Sequence, residues 1–252
     1  MKKNNEEVAI FKYNPQLDSK KTFLNFIESK NNKVARTMGL SIAENPGQPT
    51  CNPYFIFGPN GCGKTHLINA IGISCTEKDP QKHVMYVSAI EFKQQYTDSV
   101  YQNTTNDLIE FYQSIDVLIV DDIQEWANAP KTLETFIQIF NHLISSGKQV
   151  ILASDRAPVK LQGVKKQILS RFVSGLVVEI EKPTVQLCKD ILYVKCEQDG
   201  LKIPIEVADY IANTVNDSVF KLEGVINTLM TYSSVNNVNI DMELAKRVII
   251  YK

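Results

Sequence analysis

Short apolar runs set between longer, intermittently apolar stretches mark the first two thirds of the chain. Tyr54-Phe55-Ile56-Phe57 is one such run, and Val84-Met85-Tyr86-Val87 is another. Val117-Leu118-Ile119-Val120 is wholly aliphatic and is bounded by Asp116 and by Asp121-Asp122. Residues 149–155 and 176–180 repeat the pattern. Runs of this length with polar ends predict strands buried on both faces, here at 54–57, 84–87, 116–122, 149–155 and 176–180. Between them the apolar spacing changes to three and four. Leu133, Phe136, Ile137, Phe140 and Ile144 fall on one helical stripe. Helices are predicted over 32–43, from His66 through 73, and over 89–101, 106–113, 132–145 and 164–172. A turn cluster, Asn45-Pro46-Gly47-Gln48-Pro49, ends the first of them. Strands alternating with helices form βαβ units, so the expected fold is α/β, a five-stranded parallel sheet flanked by helices.

After Lys182-Pro183 the strand-like runs stop. Residues 184–199, 205–215, 219–234 and 242–250 all carry helical periodicity. The chain is therefore expected to divide into an α/β base, residues 1–182 with an N-terminal linker at 1–45, and a small all-helical unit, residues 183–252. The opening of residues 1–20 is polar and charged and is expected to fray.

A length of 252 residues allows one large domain, or a medium one and a small one. Hydrophobic residues make up 44% and charged residues 22%, the composition of an ordinary globular protein. The net charge of −1 supplies no global basic field, so contact with nucleic acid would need a local patch. There is no signal peptide and no apolar run long enough to span a bilayer, and a cytoplasmic location is expected. The five cysteines form no CxxC pair and no metal-ligand spacing. An odd, scattered set fits a reducing compartment, with most of them serving as small hydrophobes.

The chemistry concentrates at Gly58-Pro59-Asn60-Gly61-Cys62-Gly63-Lys64-Thr65, which fits the phosphate-loop pattern G-x-x-x-x-G-K-[ST]. A strand precedes it and a helix follows. Glycines let the backbone curl close to a triphosphate, and the helix start offers free N–H groups and the positive dipole end. Pro59, Asn60, Gly61, Cys62, Gly63, Lys64, Thr65 and the adjacent His66 are the candidate contacts for ATP or ADP. Lys64 would reach the β- and γ-phosphates, and Thr65 would take one Mg2+ position. Cys62 reads either as an accessible thiol or as a small residue the loop tolerates. Asp121, at the end of the aliphatic run, would hold the hydration shell of Mg2+. Asp122 would orient or deprotonate a water; both acids could instead cap or turn the chain after a strand. Asp155 ends the neighbouring run and would sense the γ-phosphate, or simply form the turn before Arg156-Ala157-Pro158. Arg171 lies far along the chain from the loop and would serve as a finger toward a neighbouring subunit's γ-phosphate, or as a surface ion-pair partner.

These stretches resemble the AAA+ ATPase module of the bacterial replication initiators of the DnaA family. The likeness runs from about Lys21 to Ile250. It is carried by Thr22-Phe23-Leu24-Asn25-Phe26, Gly63-Lys64-Thr65-His66-Leu67, Asp121-Asp122-Ile123-Gln124, Ala153-Ser154-Asp155-Arg156, Ser170-Arg171-Phe172 and Leu222-Glu223-Gly224. The resemblance implies an AAA+ P-loop fold with a helical lid, and a switch that assembles with nucleotide between neighbouring subunits at the origin and hydrolyses ATP slowly. On this likeness Asp155 matches sensor 1, Arg171 the finger, and Asn25 with Phe26 the linker near the base. The sequence departs from the family at several positions. Phe220 stands at the sensor-2 arginine and Gln167 at a second arginine. In the stretch that touches single-stranded DNA only Lys131 and Thr132 remain, with Ala129 replacing a basic residue and Glu125 adding a repelling charge. The sequence stops at Lys252, where the family's duplex-reading helix-turn-helix would begin. The alternatives are a stand-alone regulator resembling Hda, which would present Arg171 to a full-length initiator, a helicase loader, or a metabolic P-loop kinase.

Overall fold

A computed structural model describes residues 11–198 and 200–250. Residues 1–10 of the polar opening, Asp199 at the expected end of the 184–199 helix, and residues 251–252 lie outside the described residues. The strands are β1 (Tyr54–Phe57), β2 (Val84–Ser88), β3 (Val117–Asp121), β4 (Gln149–Ser154) and β5 (Leu176–Glu179). They form one parallel sheet in the order β2-β3-β4-β1-β5. The helices around the sheet are α1 (Lys33–Glu44), α2 (Lys64–Lys78), α3 (Ala89–Gln102), α4 (Thr105–Ser114), α5 (Pro130–Ser145) and α6 (Lys166–Phe172). Then follow α7 (Val185–Gln198), α8 (Ile205–Thr214), α9 (Val219–Asn236) and α10 (Met242–Ile249).

Alternation along β3 explains the two layers. Leu118 and Val120 face a core with Phe92, Trp126, Phe136 and Phe172 from the α3–α6 side. Val117 and Ile119 face the opposite core with Leu67, Ile68 and Ile71 of α2. A strand buried on both faces must read as an unbroken apolar run, and this one does. Helices α7–α10 share a separate core around Leu192, Ile211, Leu222 and Val225.

Several expected boundaries move for identifiable reasons. The strand expected over 116–122 ends at Asp121, because Asp122 turns the chain at φ 57°. Helix α5 starts at Pro130, whose missing N–H costs nothing in the first turn. Helix α6 starts at Lys166, two residues later than the spacing suggests, because Lys165 is extended. The part of the opening that is described is held down. The Tyr13 hydroxyl donates to the Val84 carbonyl at 3.0 Å and accepts from the Val84 N–H at 3.1 Å. The Tyr86 N–H donates to the Pro15 carbonyl at 2.9 Å. β2 is an edge strand, and this segment lies along its outer side.

Candidate functional site

β1 ends at Phe57, and its successor Gly58 donates its N–H to the Ser154 carbonyl at 3.2 Å, which seats the loop beside the end of β4. Gly61 (φ 75°) and Gly63 (φ 105°) both lie in the left-handed region that favours glycine. A Cβ at Gly61 would also meet the Ser218 Oγ at 2.0 Å, so the loop and the start of α9 leave no space for a side chain. The seam between them is closed by the Val219 N–H donating to the Gly61 carbonyl at 2.8 Å. Helix α2 starts at Lys64 with no side-chain cap on its first turn, so its N–H groups face the loop's concavity. Lys64 is buried, and its ammonium donates to the carbonyls of Gly58 at 2.9 Å and Pro59 at 3.1 Å.

Next to Lys64, the Thr65 hydroxyl donates to Asp121 Oδ2 at 2.6 Å. The Tyr86 hydroxyl donates to the same oxygen at 3.2 Å, and the Asp122 N–H donates to Oδ1 at 2.9 Å. Burial pushes the Asp121 carboxyl above its ordinary range and the neighbouring Asp122 charge adds to this, while the bonds from Thr65 and Tyr86 pull it back. Burial, then the Asp121 charge, likewise raises the Tyr86 phenol. One carboxylate and one hydroxyl in contact suit Mg2+, which keeps most of its waters and takes its other ligands from substrate oxygens.

Gln124 ties the second acid to the third. Its amide nitrogen donates to Asp122 Oδ1 at 2.8 Å. Its amide oxygen accepts from the Ser154 hydroxyl at 3.2 Å and the Asp155 N–H at 3.1 Å. The Asp155 carboxylate is held by a two-point contact with Arg156, both bonds at 2.6 Å, and this holds it below the usual carboxylate range. The sequence offers Gln124 only as part of a motif and gives no sign of Tyr86. Tyr86 acts across the β2–β3 pairing, and Gln124 from a turn onto the end of β4, contacts that no local pattern records.

A cavity of about 840 Å3 opens over the loop, between the segment before α1 and helices α7 and α9; Asp121, Asp122 and Asp155 do not line it. Asn60, Gly61, Cys62, Gly63, Lys64, Thr65 and His66 line it, together with Asn25 and Phe26. Pro59 stands just behind, as an acceptor for Lys64. Phe26 meets the edge of the His66 ring at 5.2 Å between centroids. His66 Nε2 lies 2.9 Å from the Thr22 carbonyl and 3.1 Å from Asn25 Oδ1, and burial lowers its pKa below the ordinary value. Asn25 also accepts from the Thr22 N–H at 3.0 Å and donates to the Lys20 carbonyl at 2.7 Å, so it shapes the linker as well as the cavity wall.

Other expected residues lie elsewhere or differ in character. Cys62 is buried, and burial raises its thiol pKa, so it is the small residue of the two readings and not an accessible thiol. Phe220 lines the cavity and is 78% exposed. Lys221 pairs with Asp217 at 2.7 Å. Arg171 does not line the cavity. It is exposed, donates to Asn141 Oδ1 at 2.6 Å, and borders a shallow depression at the ends of α5 and α6. In the stretch after Gln124, Lys131 and Glu125 are exposed, but Thr132 is buried in the first turn of α5 and its hydroxyl is not offered to a ligand. Trp126 is fully buried, donates to the Ala89 carbonyl at 2.7 Å, and packs edge-on against Phe92 and tilted against Phe136. That stretch is thus a short 3-10 turn, Ile123–Trp126, anchored in the core. Among the described residues no helix is long and apolar enough to cross a membrane.

The profile of the bacterial DnaA ATPase domain matches residues 17–179. The chain is 53% identical over 241 residues to the chromosomal replication initiator protein DnaA of Bacteroides fragilis, covering 96% of this chain and 51% of that protein. It therefore spans about half the length of the curated relatives it matches. Among solved structures, domain III of the Thermotoga maritima replication initiation protein DnaA superposes with a TM-score of 0.87 at 33% identity, over 92% of this chain and 96% of that one. The replication initiator DnaA bound to AMPPCP and single-stranded DNA superposes with a TM-score of 0.80 at 34% identity, over 88% and 69%.

Proposed function

The chain belongs to the bacterial DnaA ATPase-domain family, and from that premise we propose that it binds ATP and ADP in the cavity over the 58–65 loop and assembles with further copies, or with a full-length initiator, through the bound nucleotide. The observation that carries this reading is the contact between Thr65 and Asp121, 2.6 Å long, at the floor of a loop whose helix start is uncapped. The phosphates would lie on the backbone N–H groups of residues 60–65, with the Lys64 ammonium turning from two loop carbonyls to the β- and γ-oxygens. Thr65 and Asp121 would hold Mg2+, which neutralises charge on the phosphate oxygens when bound. Asn25, Phe26 and His66 form the wall where the base would rest. Residues 183–252 act as the lid over the base formed by residues 1–182.

Slow hydrolysis to ADP and phosphate would draw on Asp122 to orient water and on Asp155 to register the γ-phosphate. Gln124 keeps the two acids in fixed relation. Arg171 is exposed at the ends of α5 and α6, so within this reading it completes the site of a neighbouring molecule. The relative solved with AMPPCP also holds single-stranded DNA. In this chain such contact would be weaker, because Glu125 repels the strand and Thr132 is buried, which leaves Lys131 as the exposed cation of that stretch. Titration with a fluorescent adenine nucleotide tests the reading. Wild type should saturate with either ATP or ADP. Lys64→Ala should weaken both by about 10- to 100-fold, as loss of a charged hydrogen bond of about 1.5–3 kcal/mol requires. A wild-type chain with no saturable binding sinks the proposal.

A further inference from the structure

Tyr86 sits in the middle of β2, and the proposed binding and hydrolysis give its hydroxyl no role. The register Tyr86↔Ile119 and Ser88↔Asp121 puts Tyr86 on the same sheet face as Ile119 and Asp121, the face that α2 covers. Its ring is half-buried against that core, where a phenyl group would fill the same space. Its hydroxyl reaches Asp121 Oδ2, the oxygen that also accepts from Thr65. The Asp122 N–H occupies Oδ1. Donors from α2, from β2 and from the next peptide thus fix both oxygens of a carboxylate that is 1% exposed. The backbone of Tyr86 is held on both sides as well, by β3 on one and by the Pro15 carbonyl on the other.

We propose that Tyr86 is a positioning residue for the metal: its hydroxyl locks the Asp121 carboxylate in the orientation that, together with Thr65, receives Mg2+ with the nucleotide. This rests on the nucleotide-binding reading above. Without the hydroxyl, Oδ2 keeps Thr65 as its one side-chain donor, and the carboxylate is held less firmly in the orientation that receives the metal. Partners that orient a ligand in this way commonly change metal affinity 10- to 100-fold when removed.

The test is Tyr86→Phe in the whole chain, with fluorescent ATP binding followed over a Mg2+ titration and in an EDTA arm. The Mg2+ concentration at half-effect should rise about tenfold. Binding in EDTA and the melting temperature without nucleotide should match wild type. An unchanged Mg2+ midpoint overturns the proposal. So does a fall in EDTA binding by the same factor, or loss of cooperative melting, since the hydroxyl would then serve the fold alone. Failure of the wild type to bind nucleotide in either arm would be a different result, overturning the nucleotide reading itself and this proposal with it.

Discussion

The Asp121 end of the sheet and the Arg171 corner are built on opposite plans. Around Asp121 the groups are buried or half-buried and tied to one another: Thr65, Tyr86 and Asp122 on the carboxylate, and Gln124 joining Asp122 to Asp155. Arg171 is exposed, and the hydrogen bond recorded for its guanidinium runs to Asn141. A buried network fixes geometry before any ligand arrives, because each member restrains the next. A solvent-facing guanidinium with a light tether keeps its remaining donors for something outside the chain. The difference teaches that one half of the proposed site is built within a single molecule, whereas the proposed other half would be offered outward to a neighbour.

The strongest way to break this contrast is Arg171→Ala. Phosphate release from the assembled state should fall by about a thousandfold or more, the usual worth of an arginine finger. Nucleotide affinity of the monomer should stay the same, and a parallel loss of affinity would show that Arg171 works inside its own chain. Next comes Trp126→Ala, which removes the anchor of the turn that carries Gln124. Unfolding in urea should show a loss of about 3–5 kcal/mol, typical of a truncated core aromatic. A loss below about 1 kcal/mol would mean that the turn is not held by the core. The smallest effect concerns the lid. Phe220 cannot donate to a phosphate, so the wild type should prefer ATP to ADP by less than about a hundredfold, or about 2.7 kcal/mol. Phe220→Arg should raise that preference about tenfold, in keeping with one added charged hydrogen bond. Competition titrations of the two nucleotides measure both values.

The sheet was legible because burial on two faces forces unbroken apolar runs, and Val117–Val120 could hardly be read otherwise. The loop was legible because its glycines, lysine and threonine are adjacent in sequence. The strand order and the partners of Asp121 were not, since Tyr86 meets it only through the β2–β3 register. The stretch after Gln124 misleads for a related reason. No helical or strand-like spacing marks Trp126, yet its large aromatic ring, with a hydrogen-bond partner at Ala89, is drawn into the core. Thr132 follows it inward because α5 begins two residues earlier than its apolar stripe suggests.

The segment that carries Tyr13 and Pro15 has a consequence for solubility. An uncovered outer strand is a template onto which any extended chain can zip, and β2 would be one if its outward amides at Val84 and Tyr86 were bare. Shortening the protein from its front end past Pro15 would lay that template open, and turbidity on gentle warming should then rise with protein concentration. With those amides already taken by Tyr13 and Pro15, no further extended chain can pair along β2 without first displacing this segment.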